Sequence, residues 1–286
     1  MTHTYRSLSI AAAAAAALVL SACGNGDNGD DADDADADAD SDEVVELVVG
    51  ASPVPHADIL AFINEELAED AGISLQIEEF EDYLIPNQAL NDGDLDANYF
   101  QHEPWFNNEV EENGYDIVHF EGVHIEPFAL YSNEHDDVSD LPEGATIALN
   151  NDPSNQARGL VLLAEAGLIE LDAEADEESA TINDIAENPN DFEFIEADAS
   201  ALTRTLDDVD AAVINGNNAL EAGLSPTADG LLLESGEDNP YANFLAVRSE
   251  DEDNEAVLTL QDLLTSDEVR DYIEETWPDG EVIPAF

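Results

Sequence analysis

The sequence predicts a mixed α/β fold arranged in two lobes. Strand-like and helix-like segments alternate along the chain, and this series occurs twice, first from residue 44 and again from about residue 145. Strands that alternate with helices are typical of βαβ units. Two such series, followed by two C-terminal helices, indicate two mainly parallel sheets joined by crossover strands. We place these crossovers near residues 126–131 and 234–244.

The first series opens with an apolar strand and an amphipathic helix. The helix, from about His56 to Asp70, carries apolar residues at three- and four-residue spacing on one face. The predicted elements are a strand at 44–50, this helix, a strand at 75–80, a helical turn from 86, a strand from 95, a helix from 104 to about 112 and a strand at 115–120.

The second series repeats the alternation and defines the domain limits. Its predicted elements are a strand at 146–149, a helix at 153–166, strands at 192–195 and 211–214 with a short helix at 202–207 between them, and closing helices at about 254–265 and 267–275. We divide the chain into a leader (1–22), an acidic tether (23–43), a first lobe (44–128 and 236–286) and a second lobe (129–235).

The charge balance excludes two classes of partner. The chain has 70 acidic residues against 5 basic ones, all of them arginine, and its formal net charge is −65. Such a chain repels nucleic acid and anionic lipid headgroups. Its self-repulsion requires screening, and at molar salt the Debye length falls to about 3 Å. We therefore expect a halophilic protein, adapted to high external salt.

The N-terminus resembles a bacterial lipoprotein leader. A short apolar run follows Arg6; it is too short to span a bilayer but suits the core of a signal peptide. Leu20-Ser21-Ala22-Cys23 resembles a lipobox, which implies cleavage before Cys23 and acylation, for example by palmitate, of this single cysteine. The acidic residues 24–43 suit a self-repelling tether. We expect an extracytoplasmic protein held at the membrane only by the lipid on Cys23.

A strand-to-helix junction is the first candidate ligand site. Residues 95–105 read Leu-Asp-Ala-Asn-Tyr-Phe-Gln-His-Glu-Pro-Trp, and Pro104 suits the first turn of a helix. The junction gathers aromatic rings with the imidazole of His102 and an amide. Small ligands of α/β proteins bind at the carboxyl ends of strands. The alternative is a core strand whose aromatics pack inward.

The start of the helix near residue 153 is the second candidate site. Asp152 suits an N-cap and Pro153 a first helical residue. Asn155 and Arg158 are three residues apart and share a helical face. A helix N-terminus favours anions, and the arginine fork matches a carboxylate. We therefore predict a site for a ligand carboxylate rather than a surface ion pair.

Two further asparagines could contact a zwitterion. Asn215 ends the predicted strand at 211–214, and Asn243 lies at the second predicted crossover. An asparagine side chain offers both a donor and an acceptor. A role in a turn explains either residue equally well.

Metal binding and catalysis have little support in the sequence. The histidines lack the usual metal-ligand spacings, and we expect His56, His119, His124 and His135 to be scattered. The chain has no G-x-S-x-G segment, no lysine for a Schiff base and no phosphate-binding glycine-rich loop. We predict no catalytic residues, no metal and no cofactor. Two other classes of protein stay open as alternatives to a ligand-binding protein. A metal-delivery protein would require those histidines to converge in the fold, and an enzyme would require a reaction for which the sequence offers no candidate.

Taken together, these segments resemble the MetQ/NlpA family, lipoproteins that deliver methionine to ABC importers. The matching segments, in family order, are 50–56 (Gly-Ala-Ser-Pro-Val-Pro-His), 82–87 (Asp-Tyr-Leu-Ile-Pro-Asn), 96–102, 123–127 (Val-His-Ile-Glu-Pro), 151–155 with Arg158, 212–217 (Ala-Val-Ile-Asn-Gly-Asn) and 240–243 (Pro-Tyr-Ala-Asn). The resemblance implies a two-lobed periplasmic-binding-protein fold, the Venus flytrap, that closes on L- or D-methionine. It also implies an ABC permease and its ATPase as partners. Another small amino acid or a methionine-containing dipeptide remains an alternative ligand.

The resemblance also assigns roles to residues. The matching positions are Arg158 and Asn155 for the ligand carboxylate, Asn215 and Asn243 for the amino-acid head group, and Tyr83, Phe100 and His102 for the side-chain pocket. A thioether gains from such aromatic surroundings. The family often has an aromatic residue where Asn218 stands, and the resemblance leaves the partner of the ligand ammonium unassigned.

Overall fold

A computed structural model describes residues 44–236 and 239–286 of the chain. The predicted leader, the acidic tether and the lipidation site at Cys23 lie outside the described residues. Among the described residues, no helix combines the length and the apolar character that crossing a bilayer requires.

The first lobe is a six-stranded sheet in the order β13-β4-β12-β3-β1-β2. Its strands are β1 (Val45–Ala51), β2 (Ile73–Glu79), β3 (Ala97–His102), β4 (Ile117–Ile125), β12 (Asn243–Arg248) and β13 (Ile283–Pro284). Its helices are α1 (Asp58–Glu66), α2 (Ile85–Asp92), α3 (Glu103–Asn113), α8 (Glu255–Leu264) and α9 (Asp267–Thr276). One face of the sheet packs on α1, α8 and α9, and the other face packs on α2 and α3. Because both faces are covered, all six residues of β3 are buried.

The second lobe is a five-stranded sheet in the order β11-β5-β10-β6-β9. Its strands are β5 (Ala129–Tyr131), β6 (Thr146–Asn150), β9 (Glu193–Ala197), β10 (Ala211–Ile214) and β11 (Gly230–Leu233), and β7 (Glu170–Leu171) pairs separately with β8 (Ile185–Glu187). Its helices are α4 (Pro153–Glu165), α5 (Ala199–Thr205), α6 (Gly216–Glu221) and α7 (Pro226–Asp229). The face that packs on α4 is opposite the one that packs on α5 and α6.

The sheets are mixed, so the expectation of mainly parallel sheets is wrong. Strands β2, β1 and β3 pair in parallel, as do β10, β6 and β9. Strand β12 returns from the second lobe and enters antiparallel between β3 and β4. Strand β5 likewise pairs antiparallel with β10 and β11. The antiparallel ladders arise because each crossover brings the chain back into a sheet from the opposite direction.

The chain passes between the lobes at the two predicted places. Strand β4 ends at Ile125 in the first sheet, and β5 begins at Ala129 in the second. The return lies between the end of β11 at Leu233 and the start of β12 at Asn243. The predicted helix at 56–70 is shorter, at Asp58–Glu66. The proposed domain limits stay a prediction.

The arginines of the described residues are far too few to pair with most of the carboxylates. The Arg248 guanidinium contacts Asp251 at 2.7 Å and donates to the Leu90 carbonyl at 3.1 Å. Arg270 donates to the Phe286 carbonyl. With so few cations available, the acidic surface must be screened by solvent ions.

We predict that the melting temperature of the protein rises between about 0.1 M and about 2 M KCl, because screening reduces repulsion that unfolding would relieve. For a domain of this size, each kcal/mol of unfolding free energy raises Tm by about 2–4 °C. Circular dichroism melts measure the shift. Sucrose at matched osmolality is the control; an equal rise in sucrose, or no rise in KCl, would contradict the prediction.

Candidate functional site

A small cavity lies between the lobes and is lined by residues of both. Strand β3 of the first lobe and strand β10 of the second both end at it. Its lining residues are Tyr83, Phe100, Gln101, His102, Trp105, Glu126, Phe128, Asn155, Arg158, Asn215, Gly216, Asn217 and Asn243. All seven residues to which the resemblance assigns roles are therefore brought together at one cavity.

His102 connects the two lobes across this cavity. It ends β3 and caps α3, where its Nδ1 accepts the backbone N–H of Trp105 at 3.3 Å. Its Nε2 lies 3.2 Å from the side-chain oxygen of Asn155 on α4. With Nδ1 accepting, the proton belongs on Nε2 and is donated to Asn155. Burial, with a contribution from Arg158, lowers the pKa of His102 to about 3, so the ring is neutral.

A chain of amide hydrogen bonds continues from Asn155. Asp152 caps α4 and accepts the backbone N–H and the side-chain amide of Asn155 at 2.9 and 3.0 Å. The Asn155 oxygen accepts from the Asn215 amide at 3.0 Å, and the Asn215 oxygen accepts from the Asn150 amide at 2.8 Å. This network orients the helix N-terminus and the end of β10 toward the cavity.

Arg158 is buried and already holds a carboxylate of the protein. Its Nε and Nη2 donate to the two oxygens of Glu234 at 2.9 and 2.6 Å, and Nη2 also donates to the Glu126 carbonyl at 2.9 Å. The guanidinium lies between the rings of Phe128 and Tyr241, at 4.0 and 4.1 Å. Burial opposes ionisation of Glu234, but Arg158 outweighs it and the pKa of Glu234 is lowered. Nη1 makes no hydrogen bond to any described residue.

Aromatic rings of the first lobe also line the cavity. The Tyr83 ring meets Trp105 edge-on at 5.7 Å and lies 6.1 Å from Phe100. The Tyr83 hydroxyl bonds to two asparagines of α6. One of them is Asn218, at the position where the family often has an aromatic residue. Its side chain donates a hydrogen bond to the Tyr83 hydroxyl. The buried Nε1 of Trp105 has no partner among the described residues.

Two of the histidines expected to be scattered converge instead on Glu126. The Glu126 carboxylate lies 2.8 Å from His124 Nε2 and 3.3 Å from His56 Nε2. Tyr99 bonds to His124 Nδ1. Burial lowers the pKa of His56 to about 4 and of His124 to about 3. Burial raises the pKa of Glu126, although His56 and Arg158 oppose this.

The histidine–glutamate cluster is a hydrogen-bonded network with the donor set of a metal site. Its three ligand atoms lie within 4.8 Å of one another. His124 Nε2 is hydrogen-bonded to the Glu126 carboxylate at 2.8 Å, whereas His56 Nε2 is hydrogen-bonded to the side-chain oxygen of Asn243 at 3.0 Å. The group of Glu134, His135 and Asp210 is a second cluster, more exposed than the first. In each cluster two neighbouring residues of the chain, His124 with Glu126 and Glu134 with His135, are joined by a third from a distant segment.

The structure adds lining residues that reasoning from the sequence did not assign. They are Gln101, Trp105, Glu126, Phe128, Gly216 and Asn217. Glu126, Gly216 and Asn217 stood inside matched family segments, and Trp105 closed the strand-to-helix junction, so proximity to assigned residues was the available signal. Gly216 is required there because a Cβ would lie 2.5 Å from the Glu126 Cβ.

Two α/β lobes, two crossovers and a cavity lined by both lobes define a substrate-binding protein of the periplasmic-binding-protein type. Structural comparison supports this class. The structure matches a nutrient-binding protein from Burkholderia cenocepacia bound to methionine, with a TM-score of 0.80 and 42% identity over 84% of this chain and 100% of that one. It also matches a lipoprotein from Actinomyces odontolyticus, with a TM-score of 0.80 and 47% identity over 85% of this chain and 100% of that one.

The chain belongs to the NlpA lipoprotein family, whose sequence model matches residues 47–286. It is 40% identical to the methionine-binding lipoprotein MetQ of Bacillus subtilis over 84% of this chain and 88% of that protein. It is 34% identical to the D-methionine-binding lipoprotein MetQ of Escherichia coli, over 83% and 86%. These matches confirm the family and the fold that the sequence resemblance implied.

We predict that His56, His102 and His124 stay neutral in the folded protein from about pH 8 to about pH 5, because burial lowers their pKa values to about 4, 3 and 3. Below about pH 6.5 the unfolded chain binds protons that the folded one does not. The free energy of unfolding that these three neutral histidines contribute is therefore complete above about pH 6.5. It is lost as the pH falls toward 4 for His56 and toward 3 for His102 and His124.

NMR titration of the imidazole ring protons tests this prediction, with assignments from single His→Gln variants. The urea-unfolded protein is the control, in which all the histidines should titrate near pH 6.5. A midpoint near 6.5 for any of the three in the folded protein would show that burial does not control its charge.

Proposed function

We propose that this protein is the lipid-anchored substrate-binding component of an ABC importer and that it captures methionine and delivers it to a membrane permease. The observation that carries the proposal is the composition of the cavity lining. Amides, a carboxylate and a guanidinium line it together with the aromatic rings of Tyr83, Phe100, Trp105 and Phe128. This combination suits a zwitterionic head group and an apolar thioether side chain.

The head group finds a partner for each of its charges. Arg158 Nη1 and the Asn155 amide would meet the ligand carboxylate, with Glu234 holding the other edge of the guanidinium. Glu126 would meet the ammonium, because its carboxylate lines the cavity beside two neutral imidazoles. Asn215 and Asn243 supply further amide groups to the cavity lining.

The arrangement of the lining residues also supports capture by closure. Tyr83, Phe100, His102 and Asn243 come from the first lobe, and Asn155, Arg158 and Asn215 come from the second. A ligand that contacts both lobes favours the closed state, which is the differential binding that a population shift requires. Pivoting at the crossovers would divide the chain into the lobes 44–128 with 236–286 and 129–235. The closed form would then dock on an ABC permease and its ATPase.

The cellular setting completes the proposal. The lipobox at Cys23 supports cleavage of a signal peptide, acylation such as palmitoylation and attachment to the outer side of the cell membrane. The acidic composition, with a net charge of −65, supports an extracellular medium of high salt. Binding without chemistry is the whole proposed activity.

Isothermal titration and thermal unfolding in high salt test the ligand. At a hundredfold excess over its Kd, L-methionine should stabilise the protein by about 2.7 kcal/mol. Asn155→Ala should weaken binding about 5- to 150-fold, because it leaves buried partners unpaired. The matched control is Asn183→Ala, an exposed asparagine of the same lobe.

The outcomes separate the candidate ligands. A shift with norleucine, another small amino acid or a methionine-containing dipeptide, but not with methionine, would keep the binding class and replace the substrate. A shift with zinc or manganese alone would replace the proposal by metal delivery through the histidine–glutamate cluster.

Cys23→Ser should abolish both incorporation of labelled palmitate and sedimentation with membranes in a bacterial host, since the thiol is the proposed acylation site. Ser41→Ala, in the tether, is the matched control and should leave both unchanged. Membrane attachment that survives Cys23→Ser would refute the lipid anchor.

A further inference from the structure

We propose that Tyr83, Asn217 and Asn218 form a latch between the lobes that sets how long a captured ligand is retained. This inference rests on the proposed binding function and deepens it. It assigns the Tyr83 hydroxyl to lobe closure, and it leaves only the Tyr83 ring for the ligand.

Tyr83 belongs to the first lobe through its ring and its backbone. The ring packs edge-on against Trp105 of α3 at 5.7 Å and lies 6.1 Å from Phe100 of β3. The Asp82 carboxylate accepts the backbone N–H groups of the two residues that follow Tyr83, at 2.9 and 3.1 Å. This local turn orders the segment between β2 and α2. The ring packing and the turn together hold Tyr83 in the first lobe, with its hydroxyl directed at the second lobe.

The hydroxyl is fully used by the second lobe. It donates to the side-chain oxygen of Asn217 at 2.6 Å and accepts from the side-chain amide of Asn218 at 2.8 Å. A phenol has one proton to donate, and this proton is committed to Asn217. Burial raises the pKa of Tyr83, so the proton stays in place. A ligand can therefore contact Tyr83 through its ring alone.

The two asparagines are held in position independently of Tyr83. They occupy the first turn of α6, and both are only 7% exposed. The Asn217 backbone N–H bonds to the Glu126 carboxylate, and Gly216 allows the close approach of α6 to that residue. Neither end of the latch needs the other in order to be correctly placed.

The latch acts between walls that repel each other. A second cavity at the mouth of the cleft is lined by carboxylates from both lobes, among them Glu109 and Glu112 from the first lobe and Asp152 and Asp198 from the second. Their repulsion opposes closure and is screened by salt. The latch bonds are neutral, so added salt does not weaken them. Because they exist only in the closed form, they slow the escape of a ligand and leave its entry unchanged.

Stopped-flow binding of L-methionine to Tyr83→Phe tests the latch, because this change keeps the ring and removes only the hydroxyl. The dissociation rate constant should rise about 5- to 150-fold, as expected for the loss of two neutral hydrogen bonds. The association rate constant should stay within about twofold. Asn218→Ala should raise the dissociation rate by a smaller factor. The double variant should match Tyr83→Phe, because Asn218 has no partner once the hydroxyl is absent.

Tyr115→Phe is the matched control, since Tyr115 lies between α3 and β4 and lines none of these cavities; its rates should equal those of the wild type. An unchanged dissociation rate in Tyr83→Phe would overturn the latch. So would a fall in the association rate together with altered selectivity between methionine and norleucine, because the hydroxyl would then be a ligand contact.

A measurement without ligand separates this proposal from the proposed function. Spin labels at Glu112→Cys and Asp198→Cys, in a Cys23→Ser background, lie on opposite walls of the cleft mouth. Tyr83→Phe should shift their distance distribution toward longer values. Longer distances without methionine binding would keep the latch and reject the ligand. Unchanged distances would reject the latch, whatever the ligand proves to be.

Discussion

The buried guanidinium of Arg158 is the interaction on which the rest of the site depends. It extends from α4 in the second lobe and bonds to both crossovers, through the Glu126 carbonyl in the first and the Glu234 carboxylate in the second. Phe128 and Tyr241, one from each crossover, stack on its two faces. Burying a charge is costly unless it is paired and bonded, and here the pairing is bidentate. One residue therefore joins the two segments on which the lobes would pivot and also lines the cavity between them.

The interior of the cleft uses a different chemistry from the surface. The surface is overwhelmingly acidic, and its long-range interactions are screened in salt. Within the site, the histidines are neutral and the asparagines bond in a chain, so most contacts across the cleft carry no net charge. Neutral hydrogen bonds and one shielded ion pair keep the geometry of the site largely independent of the salt concentration. The repulsion between surface carboxylates, in contrast, depends strongly on salt.

Some elements of the structure were predictable from sequence patterns and others were not. The strand at 211–214 and the N-cap at Asp152 match their predictions, because a continuous apolar run and a capping residue before proline are local signals. Helix α6 was not predicted, since six residues are too few to show a period, yet it carries both asparagines that bond to Tyr83. The antiparallel entry of β12 was likewise not visible, because strand direction depends on the path of the chain between the lobes.

The sequence alone determined the α/β class, the two crossovers and the family, since these follow from periodicity and from segments that occur in a fixed order. It also identified seven residues that meet at the cavity. Only the tertiary structure decided which hydrogen-bond and ion-pair partners the residues of the site have. Glu234 occupies the Arg158 fork, His56 and His124 converge on Glu126, and Asn218 reaches Tyr83 from 135 positions away along the chain. Hydrogen-bond partners are chosen by proximity in space, and folding brings together residues whose spacing in the sequence carries no signal.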